Sequence, residues 1–173
     1  MNSGFTIPEE RIKQRVKELG QQLSRDYRGK TPLLIGVLRG SFVFLADLCR
    51  AMDIDLEIDF VSVSSYRDKD RPGELVLEKD INTAIKDRHV IVVEDIVDTG
   101  HTAAFLLQML KKREPATVAL CALLDKPSRR EVPVEINYRG FEVPDRFLVG
   151  YGLDHAGKGR NLRDIVSLMG GEQ

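Results

Sequence analysis

The sequence predicts an α/β fold in which a central, mainly parallel sheet is flanked by helices and a small cap covers its ligand edge. Short apolar stretches that suit strands alternate with stretches of helical periodicity, the order typical of a parallel α/β sheet. Residues 90–93 are Val-Ile-Val-Val, an unbroken apolar run that favours a central strand covered on both faces. Beyond Pro127, prolines and glycines interrupt short apolar stretches, which indicates the cap.

The elements follow in order along the chain. Thr6-Ile-Pro-Glu is a capping-box pattern, so we expect the first helix to begin near Thr6. Its apolar face is predicted to pack on the sheet and comprises Ile12, Val16, Leu19 and Leu23. The next predicted elements are a strand at 33–38, a helix at 42–52, strands at 54–63 and 90–95, a helix at 103–112 and a strand at 118–124. We expect residues 1–173 to form one domain, with a hood built largely from residues 127–173.

The composition does not indicate a nucleic-acid or membrane partner. The 173 residues are 42% hydrophobic and 31% charged, and the net charge of -1 gives no global reason to expect nucleic-acid binding. No apolar run suits a membrane span and the start lacks a signal-peptide pattern, so we expect no membrane partner and a cytoplasmic location. Cys49 and Cys121 lie in apolar stretches and are predicted to be buried thiols.

The most informative segment is residues 90–102, Val-Ile-Val-Val-Glu-Asp-Ile-Val-Asp-Thr-Gly-His-Thr. Ligands of parallel sheets bind at the carboxyl ends of strands, and Asp98, Thr99, Gly100 and Thr102 are turn and N-cap residues just beyond this strand. Free N–H groups at a helix start bind anions, and the two Thr hydroxyls add donors. The segment therefore predicts a site for a phosphate monoester.

Two further acids, Glu94 and Asp95, would repel a phosphate placed beside them. The ligand must therefore contain a second chemical group that suits these carboxylates. The 2- and 3-hydroxyls of a ribose are donors suited to ionised carboxylates, and a magnesium ion can join through oxygen ligands or water. Ribose 5-phosphate fits the whole segment. The alternative is that Asp98 only caps the helix and that Glu94 and Asp95 form a solvated strand end.

This run resembles the signature of the phosphoribosyltransferases, which bind 5-phosphoribosyl 1-pyrophosphate (PRPP). The pattern Glu-Asp-Ile-X-Asp-Thr/Ser-Gly looks like the hypoxanthine-guanine (6-oxopurine) branch, because the position of Asp98 is usually not acidic in other branches or in the pyrimidine-operon regulators. The resemblance implies the type I phosphoribosyltransferase fold, magnesium as cofactor, and a homodimer or homotetramer. It also implies a mobile loop near residues 64–80, starting at Ser65 and Tyr66, for which the alternative is a solvated hairpin tip.

The same resemblance implies three groups of binding residues. The 5-phosphate is expected to contact Asp98, Thr99, Gly100, His101 and Thr102. Pyrophosphate is expected to contact Arg39, Gly40 and Arg160. Arg39 and Gly40 follow a strand and precede a helix, so one cation and free amides could hold the anion, and the bond between them is often cis in the family.

For the purine, the resemblance implies Lys126, Phe147 and Leu148. The ammonium of Lys126 is donor-only and suits a 6-oxo group, Phe147 would stack on the ring, and Leu148 would use backbone groups. The alternatives are a solvated lysine and a Phe147 in the core. Glu94 and Asp95 would lie on the magnesium side, with Asp154 near a second magnesium ion.

These residues predict a magnesium-dependent transferase that converts hypoxanthine or guanine and PRPP to IMP or GMP and pyrophosphate. Asp98 is the candidate catalytic base, acting at purine N7. The alternatives are a xanthine-preferring enzyme and a non-catalytic regulator on the same fold that senses PRPP and binds nucleic acid.

Overall fold

A computed structural model gives the fold and describes residues 4–65 and 73–168. In chain order, its α-helices and strands are β1 (Thr6–Ile7), α1 (Glu9–Asp26), β2 (Leu33–Leu38), α2 (Phe42–Ala51), β3 (Glu57–Ser65), β4 (Leu75–Lys79), β5 (His89–Val97), α3 (His101–Lys111), β6 (Thr117–Asp125), β7 (Tyr138–Glu142), β8 (Leu148–Val149) and β9 (Ile165–Ser167). The main sheet has six strands in the order β4-β3-β2-β5-β6-β7. Only the β3–β4 pair is antiparallel, so the predicted α/β class with a mainly parallel sheet is confirmed.

Burial on both faces explains the unbroken apolar run of β5. Ile91 and Val93 belong to the core cluster on the side of α1 and α2, whereas Val90 and Val92 belong to the cluster that includes residues of α3. All four side chains are fully buried. Each such side chain contributes about 1.5–3 kcal/mol relative to exposure, so β5 is fixed in the middle of the sheet. Its carboxyl end is consequently a rigid support for the residues that follow.

The start of α1 differs from the prediction. Thr6 lies in β1, opposite Val166 of β9, and the helix begins at Glu9 after Pro8. The backbone N–H of Glu9 donates to Oδ1 of Asp164 at 2.7 Å, so a distant carboxylate caps the helix. The predicted capping box is wrong because strand pairing takes Thr6 away from the helix. The predicted apolar face of Ile12, Val16, Leu19 and Leu23 is confirmed as buried.

The small sheet of the hood has three strands in the order β1-β9-β8. Its position in sequence differs from expectation in two ways. β7 lies within 127–173 but extends the main sheet by parallel pairing with β6, so assigning residues 138–142 to the hood was wrong. The third strand of the hood comes from the N-terminus. Both departures arise because edge strands find partners that are distant in sequence.

The expected loop at 64–80 is shorter than predicted. Leu75 to Lys79 form β4, which pairs with β3 so that Ser65 lies opposite Leu75. Ser65 is exposed at the end of β3, and Tyr66 lies outside the described residues, so closure of this loop over a ligand stays a prediction. Across the described ranges, no helix is long and apolar enough to cross a membrane.

Candidate active site

The predicted phosphate loop lies at the carboxyl end of β5 and leads into α3. Gly100 is the N-cap residue with φ +93°, a left-handed conformation that favours glycine. Within 4–65 and 73–168, the backbone N–H groups of Gly100, His101 and Thr102 donate to no backbone carbonyl. A cavity of about 80 Å³ opens here, lined by Glu94 and residues 96–100, 102 and 103. Free donors at a helix start beside a cavity match the predicted anion site.

The two adjacent carboxylates differ in their environments. Glu94 is 5% exposed, and burial, followed by the neighbouring Asp95 charge, raises its pKa well above the ordinary value. Burial also raises the pKa of Asp95, but the N–H of Ile96 donates to its Oδ1 at 2.8 Å and Arg160 is nearby, which oppose that rise. Burial therefore acts against the charged form of both acids, and more strongly for Glu94 than for Asp95. Because Glu94 is buried, the alternative of a solvated strand end does not describe it.

Asp98 and Lys126 meet at the ends of β5 and β6. Lys126 is buried, so the alternative of a solvated lysine is wrong. Its Nζ donates to the carbonyl of Arg146 at 3.0 Å and lies 4.0 Å from Oδ2 of Asp98. The other oxygen, Oδ1, is buried without a hydrogen-bond partner in the described chain, although Nε of Arg129 lies 3.4 Å away. The site thus offers one acceptor and one cationic donor close together.

Phe147 and Leu148 follow Arg146, the residue that accepts from Lys126, so the structure brings these elements together. Phe147 is 56% exposed, and core packing is therefore the wrong interpretation of this side chain. Its ring meets the ring of His155 edge to face, with centroids 5.3 Å apart. Leu148 is buried and lies opposite Ser167 in the hood sheet. An exposed aromatic ring, one residue after the carbonyl that binds Lys126, suits a planar heterocycle.

The loop after β2 contains a cis peptide between Leu38 and Arg39, one bond earlier than the Arg39–Gly40 bond expected from the resemblance. Its amides are partly used: the N–H of Ser41 donates to the carbonyl of Val37 at 3.4 Å, and that of Phe42 to the carbonyl of Arg39 at 3.2 Å. The N–H groups of Arg39 and Gly40, the two loop residues predicted to contact pyrophosphate, donate to no backbone carbonyl within residues 4–65 and 73–168. Arg39 itself is exposed.

Arg160 lies close to the other predicted anion-binding residues. Its guanidinium donates to the carbonyl of Gly152 at 2.7 Å and pairs with Asp154 at 2.9 Å. A Cβ added at Gly40 would overlap the Asp95 carboxylate, which shows that the β2 loop packs directly on the β5 acids. Gly152 also approaches the carbonyl of Gly40 closely, so hood and loop meet here.

The carboxylates of the site limit how a magnesium ion can be held. Within the described part of the chain, no group of three or more His, Cys, Asp or Glu residues is arranged to hold a metal ion. Asp154 is engaged with Arg160 and with the N–H of Gly157. Mg²⁺ keeps several waters and commonly binds through one or two carboxylates together with substrate phosphates. Glu94 and Asp95 therefore fit a magnesium ion that enters with a phosphorylated ligand, rather than one caged by protein.

Several residues near the site had no predicted role: Asp125, Arg129, Arg130, Asp145 and His155. Asp145 Oδ1 lies 4.0 Å from Lys126 Nζ and 3.7 Å from Arg129. The acid at the end of β6 was visible in the sequence, because Asp125 follows a buried strand as Glu94 and Asp95 do. The arginines that follow Lys126 were an equally available signal.

Comparison with known proteins identifies the class. A family model described as "Phosphoribosyl transferase domain" matches residues 7–156, and the chain belongs to this family. Similar proteins include the hypoxanthine phosphoribosyltransferase of Escherichia coli strain K12, 45% identical over 166 residues that cover 94% of this chain and 93% of that protein. The hypoxanthine-guanine phosphoribosyltransferase of Bacillus subtilis strain 168 is 44% identical over 157 residues, covering 90% and 87%.

Solved structures lead to the same branch of the family. A hypoxanthine-guanine phosphoribosyltransferase from Bacillus anthracis has a TM-score of 0.90 and 46% identity, covering 95% of this chain and 98% of that one. A hypoxanthine phosphoribosyltransferase mutant from Trypanosoma cruzi, complexed with the product IMP, has a TM-score of 0.90 and 39% identity, covering 96% and 90%. Within its family, this chain is therefore of the hypoxanthine-guanine phosphoribosyltransferase type, with the type I fold.

Proposed function

We propose that this chain is a purine-salvage transferase that joins hypoxanthine or guanine to the ribose 5-phosphate of PRPP and releases pyrophosphate. The relationship to hypoxanthine and hypoxanthine-guanine phosphoribosyltransferases supports the reaction. The single observation that supports the 6-oxopurine substrate is the pair of Asp98 and Lys126, whose charged groups lie 4.0 Å apart. O6 and N7 are neighbours on one edge of a 6-oxopurine, so one residue can donate to O6 while the other accepts at N7.

The proton chemistry then follows from the partners of each group. Lys126 is buried, donor-only and oriented by the carbonyl of Arg146, so it suits the 6-oxo group but faces the 6-amino group of adenine with another donor. The carboxylate of Asp98, whose Oδ2 lies 4.0 Å from Nζ of Lys126, can take the N7 proton as N9 attacks the anomeric carbon. The exposed ring of Phe147 provides a stacking surface.

The charges elsewhere in the site suit the other half of the reaction. As pyrophosphate leaves, the ribosyl group gains positive character, which the negative charge on Asp95 stabilises at short range. The free N–H groups at the start of α3 hold the 5-phosphate, and Arg39 and Arg160 supply cations for pyrophosphate. Magnesium, when bound, would neutralise charge on the leaving pyrophosphate, with Glu94 and Asp95 as its protein ligands.

The activity is tested by chromatography of nucleotides formed from PRPP, magnesium and one base at a time: hypoxanthine, guanine, xanthine or adenine. Product with hypoxanthine or guanine and none with adenine supports the proposal and ranks the bases. A dominant rate with xanthine would identify a xanthine-preferring enzyme instead. Removing magnesium with a chelator should stop product formation, and adding it back should restore the rate; activity that persists in the chelator would contradict the metal requirement.

The partners and location form part of the same proposal. We propose a cytoplasmic homodimer or homotetramer that binds neither nucleic acid nor membrane. Net charge of -1 supports the lack of nucleic-acid binding. Absence of product with every purine, combined with binding of RNA or DNA at physiological salt, would favour the regulator instead. Sedimentation of the purified protein measures its oligomeric state directly.

A further inference from the structure

Three consecutive carbonyls of the phosphate loop are bound by the segment that follows β6. The carbonyl of Val97 accepts from the N–H of Lys126 at 3.0 Å and from Nη2 of Arg130 at 3.3 Å. The carbonyl of Asp98 accepts from Nε of Arg130 at 3.1 Å. The carbonyl of Thr99 accepts from the N–H groups of residues 131 and 132 at 2.9 and 3.1 Å. Residues 126–132 therefore bind every carbonyl between the end of β5 and Gly100.

These bonds determine which way the loop presents its polar groups. A carbonyl that faced a bound phosphate would repel it, and the C=O and N–H of a planar trans peptide point in opposite directions. Binding the carbonyls on one side therefore directs the N–H groups of the following residues to the other side. These are the amides of Asp98, Thr99 and Gly100, which share their peptides with the three bound carbonyls and have no backbone acceptor in the described chain. The contacts that bind the carbonyls therefore also orient the free N–H groups of the predicted anion site.

Arg130 is the only side chain that contributes to this set of contacts in the described residues, and its position is itself fixed. Its Nη2 contacts Oδ1 of Asp125 in a short charge-assisted hydrogen bond. Asp125 is 4% exposed and lies at the end of β6, which is paired on both sides, with β5 and β7. The other oxygen of Asp125 accepts from Arg139 at 3.0 Å, and among the described residues the guanidinium of Arg139 pairs with Asp125 and Glu142 but not with the loop. One buried acid thus holds two arginines, of which one reaches the phosphate loop.

We propose that Arg130, held by Asp125, is a positioning residue that sets the affinity of loop 98–102 for the 5-phosphate. It does not touch the ligand but keeps the carbonyls of Val97 and Asp98 turned away from it. This inference rests on the proposed function for the identity of the ligand. It also gives a role to Asp125, the acid at the end of β6, which takes no part in the proposed reaction.

The experiment compares Arg130→Gln with Arg139→Gln, a matched control that removes a guanidinium from the same carboxylate without touching the loop. Ribose 5-phosphate and pyrophosphate are titrated separately into the full chain by calorimetry. We expect Arg130→Gln to weaken ribose 5-phosphate binding roughly tenfold, because it removes hydrogen bonds from a charged donor. Pyrophosphate binding should change less than about twofold, and Arg139→Gln should leave both affinities within that range.

Equal ribose 5-phosphate affinities in the two variants would overturn the inference. An equal loss of affinity for ribose 5-phosphate and pyrophosphate in Arg130→Gln would also overturn it, because such a loss would indicate a general disturbance of the fold. If this variant shows no cooperative thermal transition, Arg130→Lys decides the question, because lysine keeps the charge but lacks the planar fork that contacts two carbonyls and a carboxylate at once. Ribose 5-phosphate binding needs no turnover, so the proposed function can fail while this effect persists, and the reverse outcome is equally distinguishable.

Discussion

The loops after β2 and β5 occupy equivalent positions, each between a parallel strand and a helix, yet they offer anions different groups. In the β5 loop, a neighbouring segment binds the carbonyls and the N–H groups at the start of α3 stay free. In the β2 loop, the N–H groups of Ser41 and Phe42 donate to the carbonyls of Val37 and Arg39, whereas those of Arg39 and Gly40 have no backbone acceptor in the described chain. Both loops therefore offer free amides, and the β2 loop adds the exposed cation of Arg39.

The glycines of the two loops differ in the same way. Gly100 has φ +93°, and a Cβ there would also meet the carbonyl of Val132 at 2.6 Å, so both conformation and space require glycine. Gly40 has no positive φ but lies against the Asp95 carboxylate. The comparison shows that a strand–loop–helix pattern locates an anion site without specifying which atoms bind.

The largest expected effect is on the β5 loop, which is proposed to carry the catalytic base, whereas the β2 loop is proposed only to bind pyrophosphate. Asp98→Asn should lower kcat by roughly 10²–10⁴-fold, because the amide cannot take the N7 proton. The KM for PRPP should change less than about threefold, since the free N–H groups remain. Steady-state kinetics measures both. Asp145→Asn is the control, because its carboxylate lies 4.0 Å from the same lysine; an undiminished rate in Asp98→Asn would remove Asp98 from this role.

The β2 loop should respond most strongly to loss of its cation. Arg39→Gln is expected to weaken pyrophosphate binding roughly tenfold and leave ribose 5-phosphate binding unchanged, because the exposed guanidinium of Arg39 is the charged donor of this loop. Arg50→Gln, on the exposed side of α2, serves as a control for the loss of one positive charge. Calorimetric titration of each anion tests this. Equal weakening of ribose 5-phosphate and pyrophosphate binding would contradict the assignment of one anion to each loop.

A smaller effect is expected from the backbone of the β5 loop. Gly100→Ala should destabilise the fold by about 1–3 kcal/mol, through left-handed backbone strain and overlap with the carbonyl of Val132. Thermal unfolding should show this as a fall of roughly 2–4 °C per kcal/mol. Gly29→Ala is the matched control, because Gly29 has φ +74° but nothing within 4 Å of an added Cβ. If the two variants lose equal stability, overlap with Val132 contributes nothing.

The smallest expected effect is the change of stability with pH that Glu94 causes. Burial raises the pKa of Glu94 above its ordinary value of 4.5, so the folded chain binds this proton more tightly than the unfolded chain. Stability is therefore expected to fall as pH rises from about 4.5 through the raised value. Glu94→Gln removes the penalty and should raise Tm by about 2–4 °C per kcal/mol gained at neutral pH, with no gain near pH 4.

Melting curves across this pH range measure the effect of Glu94→Gln. Glu10→Gln, on the exposed surface of α1, is the control. A lower Tm at neutral pH in Glu94→Gln would mean that Glu94 stabilises the fold as a charged group. The expected gain in stability with a loss of activity would show that the buried acid is retained for ligand binding.

The sequence predicted those features that depend on local pattern. The buried run of β5, the helix after it and the acids at 94, 95 and 98 are consecutive in the chain, so one segment contains the strand, the carboxylates and the phosphate loop. The start of α1 was wrong because its capping acid, Asp164, lies 155 residues away. The hood was partly wrong because β7 pairs with the edge of the main sheet.

By itself, the sequence determined the α/β class and the order of strand, acids and turn residues in the segment predicted to bind phosphate, because hydrophobic periodicity and turn residues act over a few residues. Tertiary structure decided which groups are available. It buried Glu94 and Lys126, left Phe147 exposed, and bound the carbonyls of residues 97–99 through a segment some 30 residues away. Burial and hydrogen-bond partners depend on contacts between distant elements, and these contacts set the charge of an acid and the direction of an amide.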